Sequence, residues 1–361
     1  MKVKPFGIIP SIAIIILTVG LVNHVLIVPI LLSDAKRDAW MAVIFAFIVI
    51  LPWTAIPFFN LLKKLNHQRF DKWLKDRIHP VLAWIIIGYF LLVLFLVGSE
   101  TLIVTSSWTG TTYLPNTPTY VVAFVFLALC LYAACMGLRT IAFMSCLLVP
   151  LVVLLGDFVM STNMPHKDYR YLLPMLEFGF SPVVRASINC MTAFSELFML
   201  LFMQHHLKKS FKRWHLMLLI VFLGVLAIGP LTGAISEFGP LEAEKMRYPA
   251  FAQWRLVSIG RYFEHVDFFA IFQWLSGALI RVSLTIYLIL EFNPLSRLRH
   301  KWIVPALLAV LFGGMAAYWT NHMIEYRLII GFGFRYFGVA TMSLIVAIYA
   351  ISFLKKRRVR S

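Results

Sequence analysis

Apolar runs of roughly 20 residues, bounded by charged or Pro/Gly-containing turns, recur along the whole chain. A helix rising 1.5 Å per residue needs about that length to cross the hydrocarbon core of a bilayer. Ten runs are legible, at about 7–32, 40–62, 80–106, 118–137, 140–161, 182–206, 214–236, 265–290, 302–320 and 330–354. They predict an all-α polytopic membrane protein with ten transmembrane helices, forming one transmembrane domain over residues 1–361. The first run follows two lysines, as a signal peptide would. No small-x-small cleavage site follows it and it continues past Gly20 to Leu32, so it reads as a first span.

Two runs break the apolar pattern. The first carries Gly20, Asn23 and His24 in mid-span with Pro29 after, and the sixth carries Thr192, Ser195 and Glu196. They lie five runs apart. Corresponding interruptions in two halves point to an inverted repeat with a midplane binding site, here about 7–161 and 182–354. Broken helices are tolerated at that depth only where they line a cavity.

Composition agrees with a membrane solvent: 61% of residues are hydrophobic and 14% charged. The net charge of +17 would suggest nucleic acid for a soluble chain. Here the basic residues sit in short segments between runs, at 62–77, 205–213 and 355–360, so the nucleic-acid reading is rejected. With both termini cytoplasmic, about 21 of the 33 Lys and Arg fall on the inside, the sense of the positive-inside rule. The segment 244–269 is too polar to span. Tyr248, Phe251, Trp254 and Ile259 on one side, with Arg255 and Arg261 elsewhere, fit an amphipathic interfacial helix or a plain loop.

Little else suggests chemistry. Cys130, Cys135, Cys146 and Cys190 lie inside apolar runs without metal-ligand spacing. His205 and His206 sit beside Lys208 and Lys209 and read as a basic turn, since adjacent helical residues are not expected to converge on one ion. No phosphate loop or nucleophile–base motif stands out, so neither an enzyme nor a cofactor or metal is expected.

Three segments, "GLVNHVLIVPILLSDAKRDAW" (20–40), the run around Glu196 and "GRYFEHVDFFAIFQW" (260–274), resemble in order and spacing the spore germination permeases. These are the B subunits of nutrient germinant receptors in endospore-forming bacteria. The resemblance extends over essentially the whole chain. It implies the amino acid–polyamine–organocation superfamily and a LeuT-like five-plus-five repeat with helices one and six broken. It also implies a nutrient-sensing subunit in the spore inner membrane, partnered by a larger A subunit and a C-subunit lipoprotein. The expected ligand is a small nutrient of amino-acid type. The chain departs from relatives in having "VNH" at the first break and Arg281 in mid-span eight, so the resemblance does not carry over which nutrient is sensed.

In such a fold the pocket lies between spans one, three, six and eight. The candidate ligand-binding residues are then Gly20, Val22, Asn23 and His24 on span one, and Tyr89 and Val93 on span three. Span six offers Ala193, Phe194, Ser195 and Glu196, and span eight Arg281 and Thr285. Helix packing is the alternative for Gly20, a neighbouring-helix partner for His24, and interior packing for Val93. Glu100 and Asp157 are placed near the outer ends of their spans, where exposure would suffice to explain them. Glu196 can bind a ligand ammonium, carry a proton, or pair permanently with Arg281; two opposite charges at one depth relieve each other's burial.

Overall fold

The structure, a computed structural model, describes residues 5–258, 266–294 and 302–355. Helix dominates, as it must where backbone polar groups cannot reach water. The first helical stretch comprises α1 (Ile8–Leu21), α2 (Val28–Ala35), α3 (Ala39–Trp53) and α4 (Phe59–Leu65). Next come α5 (Phe70–Lys75), α6 (Pro80–Thr112), α7 (Thr119–Met136) and α8 (Leu138–Thr162). The chain continues through α9 (Phe180–Ser195), α10 (Met199–Met203), α11 (Arg213–Phe238), α12 (Pro240–Ala243) and α13 (Pro249–Leu256). It closes with α14 (Phe268–Phe292), α15 (Ile303–Trp319) and α16 (Met323–Ile351).

Each of the ten apolar runs falls on helix. Among the described residues, seven helical stretches are long and apolar enough to cross a membrane. The number rises to eight if α15 and the first part of α16, bent by 107°, form one span. The protein is thus an all-helical, multi-pass membrane protein. One stretch, Ile8–Leu65, is interrupted at Lys36–Asp38, where Lys36 takes a φ of +51°.

The two interrupted runs remain helical, contrary to the expected unwinding. In the first, Val22–Leu26 is a single π turn, in which the Ile27 amide donates to the Val22 carbonyl at 2.9 Å. Such a turn widens a helix locally without freeing a run of amides. In the sixth, the chain tightens into a 3₁₀ turn at Glu196–Phe198, and again at Gln204–His206. Pro29 falls in the first turn of α2, where its missing N–H costs nothing.

α14 packs against α1, α6, α7 and α8. Its contact with α6 is pinned along its length. The Trp274 indole N–H donates to Thr105 Oγ1 at 3.0 Å, while its ring stacks on Trp108 with centroids 4.2 Å apart. Further along, a Cβ on Gly98 would lie only 2.6 Å from Thr285 Oγ1 and 2.8 Å from Phe312, so only glycine permits this approach. The polar segment after α11 is no interfacial helix through its length. α13 is short and buries Phe251 and Trp254, Phe251 lying edge-on to Trp108 at 5.4 Å and Trp254 donating to Gln273 Oε1 at 3.0 Å. Ile259, Arg261 and most of the basic tail lie outside the described residues.

Candidate functional site

Glu196 begins the 3₁₀ turn after α9, and Arg281 stands midway along α14. The guanidinium grips the carboxylate with both arms: Nη1 donates to Oε2 at 2.7 Å and Nη2 to Oε1 at 2.8 Å. This fork is the strongest geometry available to the pair. Nη1 also donates to the Thr18 carbonyl of α1 at 3.2 Å. Arg281 is wholly buried and Glu196 nearly so. Ions in such a place persist only when matched, because desolvation costs several kcal/mol per ion.

A second acid shares the arginine. Glu100 of α6 is buried and its Oε2 lies 3.5 Å from Nη2 of Arg281. One guanidinium cannot neutralise two ionised carboxylates, so the cluster has room for one further positive charge: a proton, a metal cation or a ligand ammonium group. Placing Glu100 near the end of its span was mistaken, because α6 runs on to Thr112 rather than stopping at 106. That leaves 12 residues, about 18 Å of helix, beyond Glu100.

Two cavities meet at this acid. One, of about 330 Å³, is lined by Asp34, Asn189, Arg247, Tyr248 and Trp274, and reaches Glu100 and Tyr326. In its wall Asn189 donates to Asp34 Oδ2 at 2.6 Å, while Asn189 Oδ1 is buried with no hydrogen-bond partner. The other, of about 190 Å³, shares Glu100 and Tyr326 and is otherwise mostly apolar, with Val93, Leu96, Val97, Met315, Trp319 and Phe337. Its polar wall holds Ser99, Thr192, Ser195, Glu196 and Thr341.

The sequence candidates therefore divide. Val93, Ser195, Glu196 and Arg281 gather at the cluster or its apolar cavity. Asn23 and His24 face α11 instead: Asn23 Nδ2 donates to the Leu223 carbonyl at 3.4 Å, and His24 Nδ1 lies 3.3 Å from the Leu226 carbonyl. Gly20 faces the same helix, where a Cβ would meet Leu226 at 3.3 Å. Gly20 and His24 line a different cavity of about 290 Å³, together with Asp157 and Gln273. Val22 and Ala193 are fully buried, and Phe194 lies edge-on to Phe47 of α3 at 5.6 Å. Tyr89 turns to α16, donating to the Phe337 carbonyl at 3.2 Å and sharing a hydrogen bond with Thr341 at 3.0 Å. Thr285 packs on Gly98, its hydroxyl donating to the Val282 carbonyl. Asn189, Asp34, Arg247 and Tyr326 were missed; they meet the site only through folding.

Toward the end of the bundle carrying His205, the cluster is closed by aromatic rings. Phe90 lies 5.1 Å from Phe198 and 5.6 Å from Phe202, and Phe202 lies 5.1 Å from Phe70 and 4.8 Å from Phe292. Beyond that plug, His205 and His206 do converge, contrary to the sequence expectation. Their Nε2 atoms stand 3.1 and 2.8 Å from the same oxygen of Glu291, with ring centroids 3.9 Å apart. The helix ends there, as Leu207 is extended, and the carboxylate sits between two side chains that would otherwise diverge.

A family model described as spore germination protein matches residues 3–323. The chain is also 38% identical over 276 residues to spore germination protein XB of Bacillus anthracis, covering 76% of this chain and 77% of that one. The stretch matched by the family model includes Glu100, Glu196 and Arg281. The chain belongs to the spore germination permease family.

Proposed function

We propose that this chain is the nutrient-sensing B subunit of a germinant receptor, taking an amino acid beside the Glu100–Arg281–Glu196 cluster. The observation that carries this reading is the surplus carboxylate: Glu100 is buried, shares an arginine already engaged by Glu196, and borders two cavities. A ligand ammonium group supplies the missing charge. Its α-carbon substituent then has an apolar cavity beside it, and polar groups line the other. The aromatic plug on the far side supports a ligand that enters from the α13 end and is held back from the other.

In this reading the chain crosses the spore inner membrane ten times, in a LeuT-like five-plus-five repeat with both termini on the core side. Ile8–Leu65 supplies two passes, since its 58 residues would extend about 87 Å as one helix, nearly three hydrocarbon thicknesses. The π turn and the 3₁₀ turn take the places of the two helix breaks. The chain carries out no covalent chemistry. Ligand binding favours one conformation, and a larger A subunit and a C-subunit lipoprotein read that change and release ions from the core. Such transmission needs a ligand with unequal affinity for the two states.

A second reading, an ion-coupled amino-acid transporter acting alone, draws on the same surplus acid, which suits a coupling proton or cation. Spores of the host lacking this chain, with and without complementation, separate the two. Potassium release is recorded across amino acids, sugars and nucleosides, and amino-acid uptake is measured in growing cells. Release lost for one nutrient with uptake unchanged supports the receptor; uptake lost with release unchanged overturns it for the transporter.

A further inference from the structure

We propose that His205, His206 and Glu291 form a binding site for a divalent transition metal, with zinc the best match to two imidazoles and one carboxylate. The donor set is of the kind these metals take, and not one for magnesium or calcium, which prefer all-oxygen shells. The three ligand atoms lie within 4.8 Å of one another. Tetrahedral zinc with bonds of about 2.0–2.1 Å sets neighbouring ligand atoms about 3.3 Å apart. The two nitrogen–oxygen separations of 3.1 and 2.8 Å need to change by only tenths of an ångström to admit it.

The surroundings hold these side chains in place. The Phe6 amide donates to the His206 carbonyl at 3.1 Å and the Lys208 amide to the Phe6 carbonyl at 2.9 Å, which fixes the histidine turn against the start of the chain. Gln204 accepts from the His67 amide at 2.9 Å. Arg69 donates to the Glu291 carbonyl at 3.3 Å and is itself paired with Asp71 at 3.1 Å, so its charge is already matched near the site. The side chains of His205, His206 and Glu291 are 9%, 11% and 15% exposed, shielded from bulk water yet not sealed.

Among the described residues, two buried atoms of these three side chains lack a hydrogen-bond partner: Oε2 of Glu291 and Nδ1 of His205. The first is a spare donor for a second metal bond. The second leaves the His205 tautomer free, so Nε2 can turn a lone pair to the metal while its proton moves to Nδ1. A histidine without an outer acceptor binds metal about 10–100-fold more weakly than one that has it, so the affinity expected is moderate.

The test uses the full chain purified in detergent, stripped with a chelator, and titrated with zinc by equilibrium dialysis. One zinc per chain is expected for the unchanged protein and for His166→Ala, which alters an exposed histidine in the segment after α8. His205→Ala with His206→Ala is expected to lose it, and Glu291→Gln to bind at least tenfold more weakly. Glu291→Gln keeps its size and an acceptor and is expected to fold; at the same zinc concentration, the unfolding midpoint should rise less for this variant than for the unchanged protein. Equal zinc uptake by all of them, or none by the folded unchanged protein, overturns the proposal.

Discussion

The same two parallel helical segments carry two ionic clusters, one in mid-bundle and one at its end. Glu196 meets Arg281, and ten residues further along each segment His206 meets Glu291. Ten residues of helix place the clusters about 15 Å apart, with the rings of Phe198, Phe202 and Phe292 between them. In mid-bundle a guanidinium and a carboxylate, both buried, are joined by a two-armed fork beside a cavity, with a further acid left over. At the end, imidazoles replace the guanidinium and the side chains are partly exposed. The contrast teaches that burial alone does not decide what an ion pair is for. The Glu196–Arg281 fork is matched within itself and joins two helices, whereas Glu100, which shares that arginine, and the His–Glu cluster are where we propose that ligands bind.

The comparison can be broken hardest at Arg281. Arg281→Leu strands two buried carboxylates and should cost about 3–5 kcal/mol, read as loss of folded protein in membranes. Adding Glu196→Gln should restore part of the yield, and adding Glu100→Gln most of the rest. Failure of the triple variant to recover would show that the guanidinium does more than balance charge.

Next in size is the plug between the clusters. Phe202→Ala removes a fully buried ring packed on Phe70, Phe90, Phe198 and Phe292. Its cost should be about 3 kcal/mol, in the range for buried Phe→Ala changes. Thiol labelling of a cysteine at Ser195, from the His205 side, should become faster in this variant; an unchanged rate would place the barrier elsewhere. The smallest effect is expected far from both clusters. The Lys245–Glu242 pair is 66% exposed on each side, so Lys245→Ala should shift stability by less than about 0.5 kcal/mol, measured by thermal unfolding in detergent.

The helices were legible because their apolar runs match a bilayer, and the Glu196–Arg281 pair because isolated mid-membrane charges demand partners. Glu100 was misplaced for a physical reason: the second half of α6 is rich in Ser and Thr, which ended the apolar run early although the helix continues to Thr112. The run Ser99, Glu100, Thr101, Thr105, Ser106 and Ser107, all buried, was the available sign that this half faces the interior. Asn23 and His24 sit at the first interruption, as expected, yet a π turn directs them to α11, and sequence spacing does not distinguish that from a break. The convergence of His205 and His206 depends on where the helix stops and on a residue 85 positions away. Neither is written locally.

The central claim is that Glu100 holds the positive end of the nutrient. The most direct measurement is the nutrient dose–response of potassium release from spores carrying Glu100→Gln in place of the unchanged chain, at equal protein level. Glutamine keeps the size and leaves the Glu196–Arg281 fork intact. The account predicts that release requires at least tenfold more nutrient or is lost. Release at the same nutrient concentration, with the variant present in normal amount, would contradict it.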